Sequence, residues 1–355
     1  MLARNRQLVG LDIGSAAVKV VELRKGRGGG YELLSAGMER LPADAGADGA
    51  PISNAVAADS IRKVFRDHGI RNRRTASSLS GHSVIVKKVT VPLQTHEELD
   101  ESLQWEAEQY IPFVISDVHL DYHIVRENRA DASMDIILVA VKKDKIADQT
   151  SLISMAGKVA SVIDVDAFAL HNAYELNYRP EPGAGVLLLN IGAGTMTVSI
   201  AKGSELVFTR DITIGTNHYS DFLCKEMQVT REDAERMQQG AFRDIEEQQQ
   251  AEKILSTVTE ILALEIRKTL DYFRDTSPSV ELQIAYVAGG GCHVAGLREH
   301  FEQRLKLPVE PFDAFRAVRQ FPEKLRRQDL EKIAPDMAVA VGLSLREVRE
   351  ARGNQ

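Results

Sequence analysis

The sequence predicts an α/β protein built from two similar domains facing one cleft. The first observation behind this is that the chain carries one pattern twice. Residues 8–23 read LVGLDIGSAAVKVVEL and residues 186–201 read VLLLNIGAGTMTVSIA, and a shift of 178 carries Asp12 onto Asn190, Ile13 onto Ile191, Gly14 onto Gly192 and Val20 onto Val198. The second is a glycine-rich strand-to-helix junction, AYVAGGGCHVAG at 285–296, which runs on into an amphipathic stretch with Leu297, Phe301 and Leu305 at spacing four. The third is composition. A chain of 355 residues with 44% hydrophobic and 27% charged residues has the content of a globular protein large enough for two cores.

The elements follow in order. In each copy an apolar strand ends in a polar residue and a glycine turn. A second strand of alternating residues follows: Val18, Val20 and Leu23 in the first copy, Met196, Val198 and Ile200 in the second. A third strand is expected at Tyr31–Leu41 and at Glu205–Ile212. ADAGADGAP at 43–51 reads as a surface loop, and 61–68 as a helix with Ile61, Val64, Phe65 and His68 on one face. Strands are expected at 84–91, 118–125 and 136–141, with a helix at 97–110 stopped by Pro112 and another at 147–156. RPEPGAG at 179–185 reads as a hinge. The polar stretch 216–284 reads as helical, longest at 252–273.

These elements divide the chain into a discontinuous first domain (1–78 and 161–183) with an inserted subdomain (79–160). The second domain comprises 184–215 and 285–355, with 216–284 as its outer subdomain.

The turns suit phosphate. Glycine lets backbone N–H groups approach a ligand, and successive N–H groups in a tight turn form an anion site. Asp12, at the lip of the first turn, can hold a hydrated Mg²⁺ against phosphate oxygens, and Lys19 on the outgoing strand can reach the same phosphates. Two ordinary hairpins are the alternative, weakened by the repetition. The glycines at 289–291 would let a nucleotide's sugar and base pass close; a tight turn with close helix–sheet packing is the other reading.

These residues resemble the actin, DnaK-type chaperone and sugar-kinase superfamily. Residues 11–19 resemble its first phosphate loop, which implies nucleotide contacts from Asp12, Gly14, Ser15, Ala16 and Lys19, with Asp12 at Mg²⁺ through water. Residues 189–197 resemble the second phosphate loop, with Asn190, Gly192, Gly194 and Thr195. Residues 286–297 resemble the adenosine loop, with Gly289, Gly290 and Gly291. The stretches 162–174 and 335–346 resemble the two connecting helices. Within the superfamily the chain is similar to the PilM family of type IV pilus assembly proteins, on SGHSVIVKKVTVP (80–92), SLQWEAEQYIPF (102–113), VAVKKDKI (139–146), IDVDAFALHNAY (163–174) and FTRDITIG (208–215). The resemblance implies an actin-like ATPase fold, with two RNase H-like domains around a nucleotide cleft and an FtsA-type inserted subdomain.

ATP and Mg²⁺ are the implied cofactors. Asp166 falls where DnaK-type chaperones carry an acidic residue near the attacking water, and is the candidate catalytic residue; an N-cap of the connecting helix is the alternative. The second loop has Asn190 where relatives carry an acid, and Thr197 at its later acidic position. Asparagine cannot accept a proton from water. The expectation is ATP binding with weak or no hydrolysis, at most a slow ATPase. Glu235, in TREDAERM (230–237), would accept from ribose hydroxyls; Thr230 as a plain N-cap, with Asp233 three residues on, is the competing reading.

The resemblance also implies partners. PilM-like proteins bind the N-terminal cytoplasmic peptide of PilN in a groove between domain I and the inserted subdomain. They thereby join the PilN–PilO complex of the inner membrane to the pilus motor ATPase and platform protein. Trp105 lies opposite the apolar stripe Leu99, Leu103, Ala107 and Tyr110, either as a contact surface or roofed by a neighbouring strand. The net charge of −7 argues against a nucleic-acid surface. Cys224 and Cys292 are too few for a disulfide framework or zinc site and read as small hydrophobes. Met1–Gln7 does not read as a signal, and no run of about 18 apolar residues is present. The expected location is therefore cytoplasmic, peripheral at the inner membrane through a partner. An FtsA-like division protein, a type II secretion cytoplasmic domain and a small-molecule kinase of the superfamily are the alternatives.

Overall fold

The computed structural model describes residues 7–26, 30–42, 53–276, 280–318, 321–322 and 325–347. The loop expected at 43–51 and most of the C-terminal EVREARGNQ lie outside them.

Domain I is a five-stranded sheet. Its strands are β1 (Val9–Ile13), β2 (Ala17–Lys25), β3 (Tyr31–Arg40), β4 (Arg74–Leu79) and β8 (Val159–Val165), in the order β3-β2-β1-β4-β8. Domain II repeats it with β9 (Gly185–Ile191), β10 (Met196–Lys202), β11 (Glu205–Ile212), β12 (Leu282–Ala288) and β13 (Val309–Pro311), in the order β11-β10-β9-β12-β13. In both sheets an antiparallel meander is extended by two parallel strands. The sequence repeat is thus the central hairpin of each sheet. Asp12 faces Lys19 in one ladder as Asn190 faces Thr197 in the other.

Between β4 and β8 the chain builds a smaller unit: β5 (Val84–Pro92), α2 (His96–Glu108), β6 (Val118–Asn128) and β7 (Ser133–Lys142), in a sheet of order β5-β7-β6. Thr95 and Glu98 form a reciprocal capping box that starts α2. Its Leu99, Leu103 and Ala107 bury against Met134, Ile136 and Leu138, so this unit has its own core. Trp105 is 66% exposed, so no strand among the described residues roofs it.

Helix α1 (Asn54–Asp67) is longer than expected, because Ser53 accepts a hydrogen bond from the Val56 amide and starts it earlier. His68 is not on its buried face; it follows the helix, and its ring fills the space beside Gly37 where a Cβ would clash. Helix α3 (Lys143–Met155) packs Leu152 and Ile153 into the core of Ile61, Val64 and Phe65.

The outer part of domain II is helical, as expected. It comprises α5 (Asn217–Met227), α6 (Arg231–Gln238) and the 32-residue α7 (Ile245–Thr276). Leu255, Val258, Leu262, Ile266 and Phe273 recur at helical spacing and bury with Leu297, Phe301 and Leu305 of α8 (Leu297–Leu305). Both cysteines are half-buried against this core and unbridged.

The domains share one apolar core through two crossing helices, α4 (Asp166–Tyr178) and α10 (Ala338–Ser344), with the short α9 (Arg327–Ile333) leading into α10. Val21 and Leu23 of domain I, Leu188 and Ala288 of domain II, and Leu170, Ala340 and Val341 of the helices form one cluster. The first connecting helix begins at Asp166, not at 162: Val162–Val165 continue β8 and pair with β4, so the helix starts where the ladder ends. Helix α10 is clamped at two glycine contacts. A Cβ on Gly10 would lie 1.9 Å from the Ala340 carbonyl oxygen, and one on Gly342 would lie 1.7 Å from that of Ala169.

Gly10→Ala and Gly342→Ala should each lower unfolding free energy by about 1–3 kcal/mol in urea titrations. Gly290→Ala, whose Cβ would meet nothing within 4 Å, should leave it unchanged.

Candidate functional site

The two repeated turns face each other across a cleft of about 960 Å³. In the first, the Gly14 amide donates to the Ala17 carbonyl at 3.0 Å; in the second, the Gly192 amide donates to the Thr195 carbonyl at 2.9 Å. The turns come so close that a Cβ on Gly194 would lie 3.3 Å from Ser15 Oγ. Carbonyls of the second turn are spoken for behind it. Thr216 and Asn217, at the start of α5, donate to Gly192 and Ala193, and Gly215 must be glycine for this approach, with a Cβ only 2.4 Å from those oxygens. The amides of Ser15, Ala16, Ala193 and Gly194 find no protein acceptor among the described residues, while these residues line the cleft. Two turns with spare N–H groups directed at one space can hold anionic oxygens.

Charge is concentrated on the floor. Lys19 Nζ lies 3.0 Å from Asp12 Oδ2, with both side chains nearly buried. Burial works against the Lys19 ammonium, but Asp12, Asp336 and Asp166 outweigh it and hold its pKa above the ordinary lysine value. The Asp166 carboxyl is pushed up to about 7 by burial and the neighbouring Asp12, against hydrogen bonds from Ser78 and Ser80. Asp166 is the first residue of α4 and makes no N-cap bond, so it faces the cleft instead of serving the helix.

Of the residues expected at a nucleotide, Asp12, Gly14, Ser15, Ala16, Lys19, Asp166, Asn190, Gly192, Gly194, Thr195, Glu235 and Gly290 line the cleft. Gly289 and Gly291 do not. Gly289 sits at φ +78 with its Cβ position 2.7 Å from Asn190 Oδ1 and the Ile191 carbonyl oxygen, and a Cβ on Gly291 would strike the Ile191 side chain at 2.5 Å. Two of these three glycines therefore serve packing of the third loop on the second, and only Gly290 opens to the cleft. Glu235 is at the rim, ion-paired across it with Arg40 at 3.2 Å. Thr230 does cap α6 through the Asp233 amide, and that cap leaves the Glu235 side chain at the cleft.

Sequence reasoning missed Asp336, which lines the cleft and receives His293 Nε2 at 2.7 Å, raising the His293 pKa through that hydrogen bond. It also missed Asp211, Arg40 and Arg231. Arg40 meets its partner across the two domains, while Asp211 and Arg231 lie in FTRDITIG and TREDAERM, segments that do not say which partner each side chain will meet. No group of three or more His, Cys, Asp or Glu side chains among the described residues is arranged to hold a metal by itself.

The folded chain keeps the Asp166 proton between pH 3.8 and about 7, where an unfolded aspartate has lost it. Stability from this group therefore falls as pH rises through that window. Its side open to the cleft water limits the effect. Asp166→Asn should stabilise the ligand-free protein by about 1–2 kcal/mol at pH 8 and not at pH 4 in urea titrations at both pH values.

The family profile described as Type IV pilus assembly protein PilM matches residues 10–348. Among solved structures, a chain of the "PilM-PilN type IV pilus biogenesis complex" is 26% identical with a TM-score of 0.84, covering 97% of this chain and 99% of that one. The ethanolamine utilization protein EutJ from Carboxydothermus hydrogenoformans is 15% identical with a TM-score of 0.56, covering 97% and 90% respectively, a likeness of fold alone. Paired meander sheets, facing glycine turns and two crossing helices make this the actin-like ATPase fold. With the match spanning nearly its whole length, the chain belongs to the family of the type IV pilus assembly protein PilM.

Proposed function

We propose that this chain is an ATP-binding adaptor of pilus assembly. It takes Mg²⁺·ATP in the cleft and the N-terminal cytoplasmic peptide of a PilN-type membrane protein on its domain I side. The observation that carries the nucleotide reading is the pair of facing turns with spare amides above the Asp12–Lys19 ion pair. The partner reading rests on full-length similarity to the chain from the PilM-PilN complex.

The residues present fit such a ligand. The amides of Ser15, Ala16, Ala193 and Gly194 would hold phosphate oxygens, and Gly290 would admit the nucleoside. Asp12 would hold a hydrated Mg²⁺, whose role is to neutralise phosphate charge. Lys19 would then exchange part of its pairing with Asp12 for phosphate. Arg40 and Glu235 tie the domains together at the rim, so a nucleotide between them favours closure.

Hydrolysis is weak in this reading. Asn190 cannot take a proton from water, and an Asp166 carboxyl that holds its own proton near neutrality is a poor general base. Function then lies in contacts: the PilN–PilO complex on one side, the pilus motor ATPase and platform protein on the other. The inserted subdomain, which we read as FtsA-type, forms one wall of the peptide groove. No helix among the described residues is long and apolar enough to cross a membrane, so a cytoplasmic position at the inner membrane would come through the partner.

Calorimetric titration with a synthetic PilN-type N-terminal peptide, with and without Mg²⁺·ATP, is the test. Saturable binding is expected, with turnover far below the roughly 1–10³ s⁻¹ of typical enzymes. Lys19→Ala should weaken nucleotide binding at least about tenfold, about 1.4 kcal/mol. No peptide binding beside rapid turnover would instead favour a kinase or hydrolase.

A further inference from the structure

The segment that leaves β4, residues 78–83, runs between the two walls of the cleft. On the domain I side, Ser80 lines the cleft with Asp166. One residue on, the Gly81 amide donates to Asp211 Oδ2 at 2.6 Å. The other oxygen of that carboxylate accepts from the Thr197 hydroxyl at 2.7 Å. Thr197 lines the cleft and pairs with Asn190 in the second phosphate-type turn. Beyond Gly81 the chain enters β5, the first strand of the inserted subdomain.

This bridge is built, not incidental. Gly81 has φ +79, a left-handed conformation, and a Cβ there would meet nothing within 4 Å. Glycine is thus needed for the backbone conformation that presents this amide to Asp211, not for space. Burial pushes the Asp211 carboxyl up, and the Gly81 amide and Thr197 hydroxyl oppose that shift, so the carboxylate depends on both donors. Two further contacts join the same bodies away from the cleft: His82 Nε2 to Thr213 Oγ1 at 2.7 Å, and Lys88 to Glu205 at 3.3 Å.

We propose that Asp211 is a positioning residue that couples occupancy of the cleft to the inserted subdomain, holding Thr197 of the second turn with one oxygen and Gly81 at the root of that subdomain with the other. A carboxylate is rigid and its two oxygens are fixed relative to each other. When a bound phosphate shifts Thr197, both bonds survive only if Gly81 moves too. The strand that follows Gly81 carries that motion into the subdomain that walls the peptide groove. The inference rests on the nucleotide reading of the cleft and supplies its route of regulation.

Amide hydrogen exchange on the full chain tests it, with and without saturating Mg²⁺·ATP, and with slowed exchange at Ser15 and Ala16 as the record of occupancy. In the wild-type chain nucleotide should slow exchange across residues 80–86 by at least about fivefold. Asp211→Ala should lose that response while Ser15 and Ala16 still respond. Thr197→Val, nearly the same shape, should lose it too and serves if Asp211→Ala fails to fold. Lys88→Ala, cutting only its peripheral pairs with Glu205 and Asp135, should keep it. A wild-type response retained in both Asp211→Ala and Thr197→Val overturns the coupling, as does a wild-type chain that protects Ser15 and Ala16 with no change at 80–86. A wild-type chain showing no protection at Ser15 and Ala16 overturns the nucleotide reading and the coupling with it.

Discussion

Helix α10 can lie between the two sheets only because hydrogen atoms, not methyl groups, stand at Gly10 and Gly342. That clamp fixes the distance between β1 and α4, and everything in the cleft is measured from it. Asp12 lies two residues along β1 from Gly10, and Asp166 opens the helix against which Gly342 rests. The tight packing gives a single apolar cluster that runs from one domain into the other, so the domains are joined by a core and not only by linkers.

The electrostatics follow from this geometry. Three carboxylates, Asp12, Asp166 and Asp336, converge on one lysine, and Asp211 stands close behind. Among the described residues Lys19 pairs directly with Asp12, and burial leaves Asp166 holding its proton to about pH 7. Acids concentrated on a buried floor suit a cation, as the function proposed above requires. The same crowding leaves Asp166 holding its proton near neutrality, which is what the proposal of weak hydrolysis rests on.

The walls of the cleft are tied to surfaces beyond it. Arg40–Glu235 spans the rim, and Asp211 joins the second turn to the root of the inserted subdomain. Membership of the PilM family gives those surfaces their significance, since a pilus assembly component has to present a defined face to other proteins.

The sequence by itself determined the repeated hairpins, the glycine turns and the amphipathic helix after the triple glycine. These depend on local rules: alternation, periodicity of 3.6 and the freedom of glycine at a turn. It also put Asp12, Lys19 and Asn190 on the two hairpins that line the cleft, because strand register is legible within one hairpin. Only the tertiary structure decided why Gly289 and Gly291 are glycines, since the atoms they would strike lie in Ile191 and Asn190, about a hundred residues earlier. It also decided that Trp105 is open, that the connecting helix begins at Asp166, and that Asp336, Arg40 and Asp211 belong to the site or its frame. Trp105, Asp211 and Asp336 do fall in segments singled out above, but a segment does not say which side chain stays open or what it touches. A lone charged or glycine residue acquires its role from a partner far away in sequence, and that partner is specified by the packing of sheets and helices, not by any motif around it.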